Sequence, residues 1–416
     1  MKTTRKIIND PVHGFIRIPG QLAYDIIEHP YFQRLRRIRQ LGLTHLVYPG
    51  AQHTRFQHCL GAMHLMGSAI EVLRLKGIDI AEEESQAVVL AILLHDIGHG
   101  PFSHALEETL IEGIHHEDLS KVIMDDMNQQ FSGALDLPIR LFHDQHPRKF
   151  LYQLISGQLD MDRLDYLRRD SFFTGVTEGT IGSERIIKMI HVHDDRLVVE
   201  EKGIYSIEKF LIARRLMYWQ VYLHKAVLSA ELLLLKILKR AKELAREGVT
   251  LSGTPALQFF LYHEMDARSI LDSGLQSERE ALIRQFVSLD DNDLITAVKA
   301  WSTHEDVVLS MLCERLVNRK LFRAQLQNQP FDEEGIAKLR DQVSEQYRIP
   351  RKLTPYFVFV EEVSNHAYDP EDQSIQILSK NGLIQDISQA SDMLNPDILS
   401  LTAKKYCLCY PKEFIL

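Results

Sequence analysis

Cysteine is scarce in this chain. The four present among 416 residues, Cys59, Cys313, Cys407 and Cys409, offer neither a disulfide framework nor a four-thiolate zinc pattern. A disulfide-stapled secreted architecture is therefore excluded, and a reducing compartment is expected. An excess of positive charge is also missing: 48 Lys and Arg stand against 57 Asp and Glu, a formal charge of −9. Nonspecific nucleic-acid binding depends on clustered cations, so no extended nucleic-acid surface is expected. Arg34, Arg36, Arg37 and Arg39 mark a local basic patch at most. Long hydrophobic runs are lacking too. The most apolar one, Ala226 to Leu238, is broken by Glu231 and too short to span a bilayer, so it reads as a buried helix and a candidate subunit contact. Met1-Lys2-Thr3-Thr4-Arg5-Lys6 has no apolar core of a signal peptide, and a cytoplasmic location with no membrane association is expected. What is present, 45% hydrophobic and 25% charged residues, is the composition of an ordinary globular chain with room for a large core and an accessory lobe.

The most informative local feature is His95-Asp96, which follows the apolar run Val88 to Leu94 and precedes Ile97-Gly98-His99-Gly100-Pro101-Phe102-Ser103-His104. A lone His-Asp pair usually sits at a surface. At the end of a buried run, however, an imidazole and a carboxylate are costly unless they are paired, and ligation of a cation removes that cost. The chain must turn there, and Gly98 is expected to end the helix cheaply. Two more ligands come from separate helical stretches. His58 opens one in which Phe56, Leu60, Met63 and Ile70 recur at helical spacing, and Asp162 shares a helical face with Tyr166. His58, His95, Asp96 and Asp162 thus form a two-imidazole, two-carboxylate set for one divalent ion, with Mn, Fe, Ni, Zn and Mg left open. Further along, Arg214, Tyr218, Tyr222 and Lys225 fall at i, i+4, i+8 and i+11, a stripe of donors and rings along one expected long helix beginning near Ser206.

The order His58, His95-Asp96, Asp162 resembles the HD superfamily of metal-dependent phosphohydrolases. Ile8-Asn9-Asp10-Pro11-Val12-His13-Gly14, Phe32-Gln33-Arg34-Leu35-Arg36, Gln40-Leu41-Gly42, His53 to His58, His95 to His104, and Asp162 to Tyr166 with Arg169-Asp170 are, more narrowly, similar to the dNTP triphosphohydrolase branch. That branch includes dGTPase-like enzymes and the SAM-and-HD-domain protein. The resemblance runs in register over about residues 6 to 226.

It implies hydrolysis of a deoxynucleoside triphosphate at the α-phosphorus, releasing deoxynucleoside and inorganic triphosphate. Arg55, His99 and Arg163 then match phosphate-holding positions, the last often a lysine in the family. His104 matches the proton donor to the leaving 5′ oxygen, with Glu107 placed to orient it, and His116 matches a second histidine near the phosphates. Gln40 and Asp170 would read the 3′-hydroxyl, Leu41 would exclude a 2′-hydroxyl, and Tyr166, Arg214 and Tyr222 would contact the nucleotide. Lys6, Glu28, Gln33 and Arg36 match a regulatory nucleotide site, which implies a guanine nucleotide activator and a homo-oligomer, dimer or tetramer. The alternatives are another HD phosphohydrolase, acting on a nucleoside monophosphate, a cyclic nucleotide or guanosine tetraphosphate, and a nucleotide-binding regulator without turnover.

The expected fold is mainly α, an HD-domain helical core with a smaller α+β C-terminal lobe. Residues 1–250 are read as the catalytic core, 251–345 as a helical extension and 346–416 as the α+β lobe. A hairpin is expected in Arg196 to Tyr205 around Lys202-Gly203, a helix start at Asp290 to Asp293, and strands at Tyr356 to Val360, Ser374 to Ser379, Leu383 to Ile387 and Tyr406 to Tyr410, with Asn381-Gly382 as a tight turn.

Overall fold

The computed structural model describes residues 6–102, 109, 113–264, 276–365, 374–392 and 403–415. Three helices around the metal motif make the frame. Helix Arg55–Leu75 begins where Gln57 Oε1 accepts the Thr54 N–H at 2.9 Å, and it carries buried residues on nearly every side. Helix Glu82–Leu94 is buried without interruption from Ala87 to Leu94, as expected of a helix surrounded by protein. Helix Met161–Thr174 starts at Asp160, whose carboxylate accepts the Arg163 N–H at 2.7 Å, and ends at Gly175 in the left-handed conformation, φ 75°. Both neighbours pack on helix Arg55–Leu75, so residues far apart in sequence meet on its surface.

Strands are few and short. They are β1 Ile7–Asp10, β2 Gly14–Arg17, β3 Ile190–His193, β4 Arg196–Glu200, β5 Arg323–Gln327, β6 Phe359–Asn365, β7 Gln376–Leu378, β8 Ile384–Asp386 and β9 Ala403–Tyr410. The β1 and β2 pair is a hairpin; β3-β4-β7-β8 and β5-β9-β6 are the other two sheets. The fold is thus mainly α with a smaller α+β part. Its C-terminal strands do not stay together: β7 pairs in parallel with β4, whereas β9 pairs antiparallel with β5 and β6.

Several local expectations are corrected. The hairpin lies upstream of Lys202-Gly203. Its turn is Asp194-Asp195, with φ 47° and 59°, the left-handed pair that matches the twist of a two-residue hairpin, and residues 201–203 instead form a 3₁₀ turn leading into helix Ile204–Met217. The long helix breaks. A π turn occupies Tyr218–Tyr222, and a new helix, Lys225–Arg246, starts after His224 Nδ1 accepts the Ala226 N–H at 3.2 Å, so Lys225 is exposed on a different helix from Arg214. Strand β5 interrupts the supposed helical extension, and Tyr356 belongs to a 3₁₀ turn, with β6 starting at Phe359. Asp290 does cap helix Asp291–Trp301, and Gly382, φ 83°, does turn β7 into β8. No described helix is long and apolar enough to cross a membrane.

The basic patch is corrected as well. Arg34 is wholly buried, donating to the carbonyls of Ile97 (2.9 Å) and His99 (2.8 Å) on one side and of Phe286 (3.2 Å) and Leu289 (3.3 Å) on the other. Arg37 pairs with Asp290, and Arg39 with Asp291. Arg34 ties the turn after Asp96 to residues 286–289, Arg37 and Arg39 are paired at the start of helix Asp291–Trp301, and guanidiniums engaged in this way make a poor surface for a polyanion.

Candidate metal centre and substrate cleft

His58 Nε2 and His95 Nε2 lie 3.2 Å apart, and Asp162 Oδ1 stands 3.0 Å from the first and 3.5 Å from the second. Asp96 sits beside them, Oδ1 3.4 Å from His95 Nε2 and Oδ2 3.8 Å from His58 Nε2. Donors bound to a common ion at about 2.1 Å stand about 3.0 to 3.4 Å apart at octahedral or tetrahedral angles. The spacing of His58, His95 and Asp162 fits, with Asp96 slightly wide because Arg55 also holds it, at 2.5 Å.

Tautomers provide a sharper test. His58 Nδ1 faces Asp165 Oδ2 at 2.8 Å and His95 Nδ1 faces the Ile92 carbonyl at 2.6 Å, both acceptors, so each ring carries its proton on Nδ1. Both Nε2 lone pairs then point at each other in a buried site. A shared cation satisfies both lone pairs at once, and the residues fit a divalent metal with an acceptor behind each ring. Burial alone would lower the His58 imidazolium, but Asp162 and Asp165 outweigh it and raise it to about 10, the field of a site that favours positive charge. Burial likewise opposes ionising Asp96, yet Arg55, His95 and His99 hold its carboxyl well below the usual range.

Asp165 is the hub behind the site. Besides His58 it accepts from His13 Nε2 at 2.6 Å and from Arg169 Nε at 2.8 Å, and Arg169 also reaches Asp10 Oδ2 at 2.8 Å. Asp10 in turn accepts the N–H groups of Val12 and His13, 3.0 and 2.9 Å, closing the β1–β2 turn onto the centre. Asp10, His13, Asp165 and Arg169 all lie within the sequence motifs, where no role attaches to them; their signal in the sequence is an Asp and an Arg at i and i+4 on the face that carries Asp162. Gly61 makes the approach tight enough for these contacts. A Cβ there would lie 1.9 Å from Asp165 Oδ1 and 2.3 Å from Arg169 Nη2.

Gly98 proves necessary for a different reason from the one expected. Its backbone is not left-handed, but a Cβ would lie 2.2 Å from both His116 O and Ser120 N. Ser120 Oγ, buried, accepts the Gly98 N–H and donates to the His95 carbonyl, each at 3.0 Å, so the dyad turn is fastened to helix His116–Gln130.

Around this centre the chain leaves a cleft of about 260 Å³, lined by Gln40, Arg55, His95, Asp96, His99, His116, Asp162 and Tyr166, among others. Gln40 and Arg55 also line a second hollow of about 390 Å³ whose wall is Leu41, Phe102, Tyr218, Tyr222, Glu231 and neighbouring leucines. One end is therefore rich in histidines and carboxylates beside Arg55, the other in rings and aliphatic groups. His99 stacks on His116 with centroids 3.9 Å apart, and its Nε2 is 3.2 Å from Asp96 Oδ1. Burial and then Arg55 push His99 down to about 3, so it enters the cleft uncharged. Gln40 Oε1, His99 Nδ1, Arg163 Nε and Arg214 Nε are buried without a hydrogen-bond partner among the described residues, a density of orphans usual where a polar ligand docks.

The remaining expected site residues are distributed as follows. Arg163 leans on Asp160, and Arg214 donates to Gln158 Oε1 at 2.9 Å. Asp170 accepts from His53 Nε2 and from the Tyr222 hydroxyl, each at 2.7 Å. Tyr166 packs between the centre and Tyr222, 6.5 Å from the His58 ring and 6.3 Å from the Tyr222 ring. Gln33 accepts from Arg36 Nε at 2.8 Å, Arg36 lies 3.6 Å over the Phe56 ring, Lys6 lies 3.2 Å over Tyr24, and Glu28 is exposed at the end of helix Gly20–Glu28. His104 and Glu107 lie outside the described residues.

Comparison with known proteins agrees with this arrangement. The HD domain family matches residues 55–170, and the HD associated region matches 181–250. A solved phosphohydrolase from Bacteroides thetaiotaomicron is 55% identical and superposes with a TM-score of 0.93 over 98% of this chain and 99% of its own. An uncharacterised Bacillus subtilis protein, YwfO, is 32% identical over 99% of this chain and 93% of its length. The deoxynucleoside triphosphate triphosphohydrolase SAMHD1 homolog of Dictyostelium discoideum is 33% identical over 56% of this chain and 49% of its own, so the chain spans about half the length of that relative. The chain belongs to the HD superfamily of phosphohydrolases. Within it, the chain resembles the dNTP triphosphohydrolase branch.

Proposed function

We propose that this hydrolase is a deoxynucleoside triphosphate triphosphohydrolase. The observation that carries the reading is the paired hollow: a metal-competent end of histidines and carboxylates and an end of rings and aliphatic groups share Gln40 and Arg55, a layout suited to holding a triphosphate on a bound cation and a nucleoside beside it. A bound divalent ion would supply charge neutralisation at the α-phosphate and activation of water. His58, His95, Asp96 and Asp162 would hold it. Arg55 and Arg163 offer bidentate donors to phosphate oxygens, and His99, with His116 stacked on it, offers an imidazole donor beside them. His104, oriented by Glu107, is assigned protonation of the leaving 5′ oxygen. Gln40 and Asp170 would take the 3′-hydroxyl, Leu41 would crowd a 2′-hydroxyl, Tyr166 and Tyr222 would pack on the nucleoside, and Arg214 would contact the nucleotide. Lys6, Glu28, Gln33 and Arg36 are assigned to a guanine nucleotide activator acting through a homo-oligomer in the cytoplasm.

The test is product analysis of each dNTP with each divalent metal. Deoxynucleoside and intact inorganic triphosphate are expected. Monophosphate with pyrophosphate would overturn the reading in favour of another phosphohydrolase, and bound nucleotide with no product would indicate a regulator. The same assay on dATP, with and without GTP, tests the activator: a faster initial rate is expected, and an unchanged one would remove the regulatory assignment.

A further inference from the structure

His53 is wholly buried two residues before Arg55, and nothing above gives it a task in substrate selection. Its Nε2 is 2.7 Å from Asp170 Oδ1, and its carbonyl accepts the Gln40 N–H at 3.0 Å. The same residue therefore fixes the side chain of one sugar-reading group and the backbone of the other. Its ring lies flat on Phe173, centroids 4.5 Å apart and planes 17° from parallel, so it cannot swing away. Nδ1 has no partner among the described residues, and Asp170 is an acceptor, so Nε2 is the ring atom that donates. With Tyr222 donating to Oδ2, the Asp170 carboxylate is held at both oxygens, and its rotation about the terminal bond is locked.

We infer that His53 is a positioning residue for sugar selection: by fixing Asp170 and Gln40 together it sets the enzyme's preference for a sugar that carries a 3′-hydroxyl. This rests on the nucleotide reading above. A carboxylate without these two donors would be free to rotate about its terminal bond and lose its aim at the sugar edge. A carboxylate held by two donors keeps its remaining lone pairs in one direction, and a site of this kind rejects a ligand lacking the hydroxyl because its own polar groups are left unpaired.

The experiment compares a dNTP with the matching 2′,3′-dideoxynucleoside triphosphate on the full-length protein, in wild type, His53→Phe and His53→Gln. Phenylalanine keeps the ring on Phe173 and removes the donor; glutamine offers an amide N–H toward Asp170. In the wild type the missing 3′-hydroxyl is expected to cost at least about tenfold in kcat/KM. In His53→Phe the dNTP rate should fall toward the dideoxy rate, shrinking that ratio to roughly two or less, while His53→Gln restores part of it. If the phenylalanine variant does not fold, His53→Asn, whose amide stops short of Asp170, carries the same expectation. A parallel fall on both substrates, or an unchanged ratio in a folded variant, would overturn the inference and leave the nucleotide reading standing. Absence of triphosphate release from any dNTP by the wild type would instead overturn the reading itself, and the inference with it.

Discussion

Asp162→Ala is expected to abolish turnover, by a factor of at least about 10³, and to strip the protein of tightly held divalent metal. The side chain is 28% exposed, so its loss leaves no large void, yet its Oδ1 stands within 3.5 Å of both imidazole Nε2 atoms. Without it the remaining donors carry one carboxylate, and that carboxylate is shared with Arg55. The check is metal content after dialysis together with the rate of triphosphate release, with a thermal melt in chelator to confirm the fold. A variant that keeps stoichiometric metal and near-normal rate would show that Asp162 is not a ligand.

The second large effect is expected from a single methyl group. Gly61→Ala places a carbon 1.9 Å from Asp165 Oδ1, so either the helices Arg55–Leu75 and Met161–Thr174 separate or Asp165 leaves Arg169 and His58. Overpacking costs about 1 to 3 kcal/mol, and parting a buried ion pair costs about 3 to 5 kcal/mol. A loss of roughly 3 to 5 kcal/mol is therefore expected from a urea titration, with metal affinity about 10- to 100-fold weaker because His58 loses its orienting acceptor. A loss below about 0.5 kcal/mol would mean that the helices yield freely there.

Most of the candidate centre was legible in the chain because its chemistry is local. His95-Asp96 sits at the end of a buried run, and His58 and Asp162 lie on helices whose apolar spacing is plain. The supporting layer was less legible because its contacts cross long separations: His13 meets Asp165 across 152 residues and Asp10 meets Arg169 across 159. Periodicity reports which face of a helix is buried, and it does not report which element arrives on that face. Gly98 illustrates the same gap. Its need for a missing Cβ comes from helix His116–Gln130, about one turn of which lies against it.

Backbone irregularities were hidden for another reason. The π turn at Tyr218–Tyr222 adds one residue to a helical turn without a proline or glycine to announce it, so the stripe drawn from Arg214 to Lys225 ran past a break. The Asp194-Asp195 turn is a weaker sequence signal than Lys202-Gly203 because aspartate enters the left-handed region less readily than glycine, although it does so here twice in succession. Strand β5, Arg323–Gln327, gives little sign of itself in the sequence because it is short and polar; it is a strand through its pairing with β9, residues 403–410.

The central claim is that side chains from three separated stretches grip one divalent ion. Anomalous diffraction from crystals grown with Mn²⁺ tests it most directly. The account predicts a single strong peak about 2.0 to 2.3 Å from His58 Nε2, His95 Nε2, an Asp162 oxygen and an Asp96 oxygen. A peak elsewhere, or none between those groups in a protein that hydrolyses its substrate, would contradict it.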